Sequence, residues 1–333
     1  MAAQASEASL LEVRHLSTNF VSDEGVFRAV EDLSFHLKKG ESMGLVGESG
    51  CGKTTAMLSL LRLLPAAGRI ISGEVLLEGR DLMELDEAEM RAVRWRSMSM
   101  IFQGAMNALN PVRSVGDQIA EALVVHDLAP SLKAATPRVT ELLEMVGIPG
   151  SRQSQFPHQY SGGMRQRAMI AMALACSPQI VIADEPTTAL DVMIQAQILE
   201  LLEKLQRDLG LAVILVTHDL SVVAELCHRV LVMYGGVLAE YSDVDSIFNE
   251  PLHPYTRRLL EAFPDLSRPE GKLVSIPGHP PRLNKLPPGC RFAPRCPEAF
   301  ERCRVEVPGV HQVRPGHWVT CHLNGGGSPD ARG

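Results

Sequence analysis

Gly47-Glu48-Ser49-Gly50-Cys51-Gly52-Lys53-Thr54 is the stretch from which the fold can be read. It fits the spacing of Gly, four residues, Gly-Lys and Ser or Thr, with a short apolar run before it (Ser42 to Val46) and a helical stretch after it (Thr54 to Leu64). Strand, loop and helix in that order distinguish a phosphate-binding loop from an incidental glycine-rich turn. Glycines let the backbone curl so that successive amides face phosphate oxygens, and the positive end of the following helix favours the same anion. Lys53 is expected to reach the β and γ phosphates, and the Thr54 hydroxyl to be a magnesium ligand. Gly47, Ser49, Gly50, Gly52 and Thr55 are placed in the nucleotide site with them. Cys51 lies in the loop as a small filler, with nothing to mark it as a nucleophile.

Outward from the loop, apolar runs recur at Ser99 to Phe102, Ile180 to Ala183 and Leu211 to Thr217, each ending in polar residues. They read as buried parallel strands. Helical stretches at Gly163 to Cys176 and Met193 to Leu209 alternate with them, so the expected class is α/β, a P-loop nucleotide-binding domain with a parallel core sheet. Leu11 to Phe20 and Ala29 to Leu37 read instead as an antiparallel pair that Gly73 to Glu78 can join, an N-terminal antiparallel β subdomain. Between about 105 and 160 the strand signal disappears and apolar residues recur at helical spacing, as in Val115, Ile119, Leu123 and Val139, Leu142, Leu143, Val146. This predicts an inserted helical lobe. The nucleotide-binding domain is expected over 1–263 and a Pro-rich, four-cysteine extension over 264–333. That extension holds 12 of the 22 prolines and ends in a disordered tail around Gly325-Gly326-Gly327-Ser328-Pro329.

Three strand ends narrow the chemistry. Ile180 to Ala183 delivers Asp184 and Glu185 at the carboxyl edge of the sheet, where ligands bind in open α/β folds. Asp184 suits a magnesium shell, and Glu185, one residue on, suits a base that polarises the attacking water. Two further strands end at Gln103 and His218; the joint arrival of all these groups at one sheet edge argues for a site.

Together with Ser161-Gly162-Gly163-Met164-Arg165-Gln166, these motifs resemble the ATP-binding cassette ATPases over about residues 10 to 250. The resemblance implies that Gln103 is the Q-loop glutamine and, with Thr54 and Asp184, a magnesium ligand. It further implies that Ala189-Leu190-Asp191 is the D-loop, that His218 is the switch histidine, and that Ser161, Gly162 and Gly163 contact ATP held by a partner cassette. Met164 stands where many members carry Gln, and Tyr160 where Leu is usual. Ser161 can cap a helix beginning near Gly162 and leave glycine amides free for phosphate. An aromatic from the N-terminal sheet would stack on adenine: Phe20 first, Phe27 second.

The text around the motifs is more specific. Leu109-Asn110-Pro111, Ala183 through Val192, His253-Pro254-Tyr255-Thr256 and Gly289-Cys290-Arg291-Phe292-Ala293-Pro294-Arg295-Cys296-Pro297 resemble ATPase subunits of dipeptide and oligopeptide importers, extending the match to about residue 322. Such a subunit would pair with a second homologous ATPase, sit under two transmembrane permease subunits with its segment 104–125 against them, and receive peptide from an extracytoplasmic binding protein. The alternatives are a cassette ATPase not coupled to transport, or an importer of another small cargo such as a nickel complex or glutathione.

Cys290, Cys296, Cys303 and Cys321 crowd the extension. Four thiolates suit tetrahedral zinc or an iron-sulfur cubane, and no Cys-x-x-Cys pair signals a zinc ribbon. The resemblance favours a 4Fe-4S cluster, with zinc as the alternative, and Arg291, Arg295, Arg302 and Arg304 are placed to balance its charge.

The 333 residues carry a net charge of -7, against nucleic-acid binding by a positive surface. Residues 1–12 lack a signal peptide's basic start and apolar run. No apolar stretch reaches the roughly 18 residues that span a bilayer. The expected place is therefore the cytoplasmic face of the inner membrane, held there by the permease subunits.

Overall fold

Strand β1 (Leu11–Ser22) turns back into β2 (Gly25–Leu37) as an antiparallel hairpin, the first element of a computed structural model that describes residues 9–104, 108–188, 190–262 and 276–325. Strand β3 (Ser42–Val46) leads through the glycine loop into helix α1 (Lys53–Leu60), after which β4 (Gly68–Leu77) pairs with the other edge of β1 and β5 (Arg80–Asp81) with β4. The result is a four-stranded antiparallel sheet in the order β2-β1-β4-β5. Leu11, Val13 and Leu16 on β1 and Leu33, Phe35 and Leu37 on β2 are buried in one core with Met57 and Leu60 of α1. Helix α1 stops at Leu60 rather than Leu64, where the chain turns through Arg62 at φ +52 ahead of Pro65.

The second sheet runs β11-β12-β10-β9-β3-β8-β7-β6. Its β6 (Met98–Ile101), β7 (Ile180–Asp184), β8 (Ala212–Val216), β3 and β9 (Arg229–Tyr234) are mutually parallel. Every residue of β3, β7 and β8 is buried, as expected for strands covered on both faces. Helices α2 (Glu87–Val93), α3 (Val115–Val125), α4 (Leu132–Met145) and α5 (Gly162–Ala173) fall between β5 and β7. Val115, Ile119 and Leu123 of α3 and Val139, Leu142 and Leu143 of α4 pack into one apolar cluster with α5, the helical face read from the sequence. Helix α6 (Val192–Leu209) buries Ile198, Leu201, Leu202 and Leu205, a stripe at helical spacing.

The C-terminal residues are joined to the cassette rather than set beside it. Strand β10 (Val237–Asp243) is antiparallel to β9, and the hairpin of β11 (His311–Arg314) and β12 (His317–Val319) adds to the free edge of β10. Helix α7 (Leu220–Leu226) precedes β9, and between β10 and β11 lie α8 (Val244–Asn249), α9 (Pro254–Glu261) and α10 (Glu301–Val305). Phe292 of the extension is buried in a cluster with Tyr234, Tyr255 and Val232. An extension with few large apolar residues thus borrows its core from the cassette. The expected boundary at 263–264, the D-loop position Ala189 and most of the expected tail lie outside the described residues.

Candidate functional site

The chain leaves β3 and passes through Gly47 to Gly52 into α1. Gly52 has φ +102, and a Cβ there would stand 2.1 Å from the Ala29 carbonyl oxygen, so the loop's approach to β2 requires glycine. Lys53 is buried and folds its ammonium back over the loop, donating to the carbonyls of Gly47 at 2.7 Å and Glu48 at 3.1 Å. Cys51 is buried against it, with Sγ 3.8 Å from Nζ. Burial pushes that thiol's pKa up, against the pull of Lys53, which suits a neutral filler.

A cavity of about 500 Å³ opens over the loop, lined by Ser49, Gly50, Gly52, Lys53, Thr54 and Thr55. Phe20 and Phe27, partners across the β1–β2 hairpin, line it together, so the first and second choices for an adenine platform share one wall. Gln103 and Glu185 line it as well.

The acidic pair at the end of β7 divides. Asp184 is buried and accepts a hydrogen bond from the Thr54 hydroxyl at 3.2 Å, so two of the three expected magnesium ligands are adjacent. Burial raises its pKa above the ordinary carboxyl value, with the neighbouring Glu185 acting in the same direction, so a cation there would restore the charged form. Glu185 has φ +44, a left-handed conformation that a Cβ-bearing residue rarely adopts. Its carboxylate accepts from Gln103 Nε2 at 2.6 Å and the Thr188 hydroxyl at 3.0 Å, and lies 3.9 Å from His218 Nδ1. Gln103 is therefore bonded to Glu185 and not to Thr54 or Asp184, which departs from its expected place among the magnesium ligands.

Ser161 and Asp191 are helix caps: the Ser161 hydroxyl accepts from Met164 N at 3.3 Å at the start of α5, and Asp191 accepts from Ile194 N at 3.0 Å at the start of α6. A Cβ on Gly163 would come within 2.8 Å of Ile194, so the two helix starts pack together. None of Ser161, Gly162, Gly163 or Asp191 lines the cavity over the loop. Within one chain the two groups stay apart.

Several contacts at the site had no local signal in the sequence. Leu283, from the extension, lines the nucleotide cavity, and its carbonyl accepts from Arg28 N at 3.1 Å. The Glu48 amide donates to Tyr255 Oη at 2.9 Å, and the Glu48 carboxylate takes two hydrogen bonds from Arg295, at 2.6 and 3.0 Å. This corrects the expectation for three of the four arginines. Arg295 is paired with Glu48, Arg291 with Glu31 and the Gly235 carbonyl, and Arg302 with Glu306 one helical turn on, so each has an oxygen partner instead of serving the thiols.

The four tail cysteines are free thiols that line one small cavity of about 10 Å³ together with His253 and His322. Burial raises the pKa of the Cys290 thiol, lifts that of Cys296 to about 11 and that of Cys321 to about 12. They converge, but among the described residues no three His, Cys, Asp or Glu side chains are grouped so as to hold a metal ion. The expected 4Fe-4S or zinc ligand set at Cys290, Cys296, Cys303 and Cys321 is thus not formed by these side-chain positions.

A family model described as "ABC transporter" matches residues 30–188, and one described as "Oligopeptide/dipeptide transporter, C-terminal region" matches residues 239–303. A probable peptide ABC transporter ATP-binding protein of Sinorhizobium fredii is 51% identical over 94% of this chain and 94% of its own. The dipeptide transport ATP-binding proteins of Bacillus subtilis and Escherichia coli are 49% and 45% identical, over 94% and 96% of this chain and 94% and 99% of theirs. Among solved structures, a dimeric ATP-binding cassette in a post-hydrolysis state with ADP and Pi aligns with a TM-score of 0.63 and 28% identity, covering 70% of this chain and 98% of that one.

Proposed function

This chain belongs to the ABC transporter ATPases, and on that premise we propose that it is the ATP-hydrolysing motor subunit of an importer of di- or oligopeptides. One observation carries the reading: a single chain holds a cavity furnished for ATP hydrolysis and, joined to the same sheet, a C-terminal region of oligopeptide/dipeptide transporter type.

In the proposed cycle, Phe20 stacks on adenine, with Phe27 beside it. The amides of Gly50 to Thr54 and the Lys53 ammonium hold the phosphates, Lys53 exchanging its carbonyl partners for phosphate oxygens. Thr54 and Asp184 are the residues that would hold magnesium, which when bound neutralises charge developing on the phosphates. Glu185 orients and polarises the attacking water, and Gln103 and His218 set the position of its carboxylate and sense the γ-phosphate. Ser161, Gly162 and Gly163, with Asp191, complete the site of a second cassette, because they lie off the cavity of their own chain. That second cassette is a homologous subunit in a head-to-tail pair.

The proposal places the chain under two permease subunits at the cytoplasmic face of the inner membrane, served by an extracytoplasmic peptide-binding protein. Among the described residues no helix is long and apolar enough to cross a membrane. The segment after Gln103 is the proposed permease contact; Val112 there is an apolar side chain 78% exposed among the described residues. In vesicles holding the two permeases and both ATPases, peptide-loaded binding protein is expected to raise ATP turnover several-fold. An ATPase indifferent to the permeases and to the loaded binding protein would sink the importer reading.

The finer reading of the tail, a 4Fe-4S cluster or zinc on Cys290, Cys296, Cys303 and Cys321, is supported by the convergence of the four thiols and by the resemblance. It requires the four thiols to draw into ligating positions and to lose their protons. Anaerobically purified protein is expected to contain about four irons and matching acid-labile sulfide per chain, and removing them to lower the melting temperature. Zinc without sulfide selects the alternative, and metal-free protein of unchanged stability ends both.

A further inference from the structure

We infer that Arg295, in the C-terminal extension, is a positioning residue for the phosphate loop, and that its task is to neutralise Glu48 within that loop. The inference rests on the loop being the ATP site and adds to that reading a dependence on a residue 247 positions away along the chain.

Glu48 is the second residue of the loop; its carboxylate does not line the nucleotide cavity, but it sets a negative charge one residue from Ser49 and two from Gly50, which do. An uncompensated carboxylate there would oppose each phosphate charge in turn. Arg295 meets it with a bidentate pair at 2.6 and 3.0 Å, the planar fork geometry that a lysine cannot reproduce. The guanidinium is itself fixed: it donates to the carbonyls of Pro277 at 2.8 Å and Ile276 at 3.2 Å and to Tyr234 Oη at 3.2 Å, and its side chain is only 5% exposed. The arginine end of the pair is shielded and the Glu48 side chain is 25% exposed, so salt screens it less than a fully exposed surface pair. The same short loop segment is tied by its backbone as well, since the Glu48 amide donates to Tyr255 Oη and the Glu48 carbonyl accepts from Lys53. Carboxylate, amide and carbonyl of one residue are therefore all engaged, and the carboxylate's partner comes from beyond the cassette.

The test is ATP and ADP binding to the full-length protein carrying Arg295→Gln, Glu48→Gln or both, with turnover measured in parallel. Arg295→Gln is expected to weaken ATP binding about tenfold and ADP binding less, because the effect follows phosphate charge. KM is expected to rise with kcat within about threefold of wild type. The double variant is expected to recover most of the loss, which a merely structural role for Arg295 would not allow. Glu48→Gln alone is expected to bind ATP at least as tightly as wild type, and this carries the test if Arg295→Gln does not fold. Unchanged binding by Arg295→Gln, equal losses for ATP and ADP, no recovery in the double variant, or weakened binding by Glu48→Gln would each overturn the inference. Wild-type protein that fails to bind ATP would overturn the nucleotide-site reading instead.

Discussion

Glu185→Gln is expected to lower ATP turnover at least about a hundredfold while leaving ATP binding within a few-fold of wild type. The magnitude is that of removing a general base, typically 10² to 10⁴ in rate. Glutamine nearly matches the shape of Glu185, and its carbonyl can still accept from Gln103 and Thr188, so the connections at 2.6 and 3.0 Å survive in part. What is lost is the negative charge facing His218 and the capacity to take a proton from water. The left-handed backbone at residue 185 belongs to the turn after β7 and does not depend on the side-chain charge, so the fold is expected to hold. Phosphate release and fluorescent-nucleotide binding measured side by side decide the matter. Turnover near that of wild type would place the base elsewhere; loss of binding in step with turnover would make Glu185 a nucleotide ligand.

The second large effect concerns the seam between sheet and extension. Glu240 on β10 is fully buried and gathers three segments: it accepts from the Leu252 and His253 amides at 2.8 and 3.0 Å, and it pairs with His317 Nε2 of β12 at 2.7 Å. Glu240→Ala strands two amides and the His317 ring without water, a loss of about 3 kcal/mol by analogy with broken buried pairs. Glu240→Gln, which keeps one carbonyl oxygen but turns an NH₂ toward a donor, is expected to lose less. Urea midpoints for the two variants, and protease sensitivity of the extension, check the order. Burial alone would raise the Glu240 pKa, but the bonds from His317 and the two amides outweigh it and hold it below the ordinary carboxyl value. The folded pKa is depressed, so the unfolded chain binds the proton more tightly, and this stabilisation is present above the ordinary carboxyl pKa and lost as pH falls through the folded one. Wild type is expected to lose more stability than Glu240→Gln between pH 6 and pH 3. Parallel pH curves for the two would remove Glu240 from the seam's energetics.

The parallel strands were legible because a strand buried on both faces is a continuous apolar run, and β3, β7 and β8 are each five buried residues long. Helix ends were less so: α1 stops at Leu60, and no cap in the sequence marks the point where Arg62 reverses the chain. In the cysteine tail, the partners of the arginines were not legible. Crowded thiols and arginines along the chain suggested mutual attraction, but a guanidinium takes the best carboxylate in reach, and for Arg291 and Arg295 these were Glu31 and Glu48 of the cassette.

The motifs of the candidate site were determined by the sequence alone, because each is contiguous: a glycine loop, an acidic strand end and a capped helix start form their geometry from neighbouring backbone. Tertiary structure decided what those pieces meet. It placed Phe20, Phe27 and Leu283 around one cavity, kept Ser161 and Asp191 away from it, laid β12 on the edge of β10, and brought Arg295 to Glu48. Such pairings join segments up to about 260 residues apart. They depend on which faces pack, a property of the whole core that no local run of residues carries.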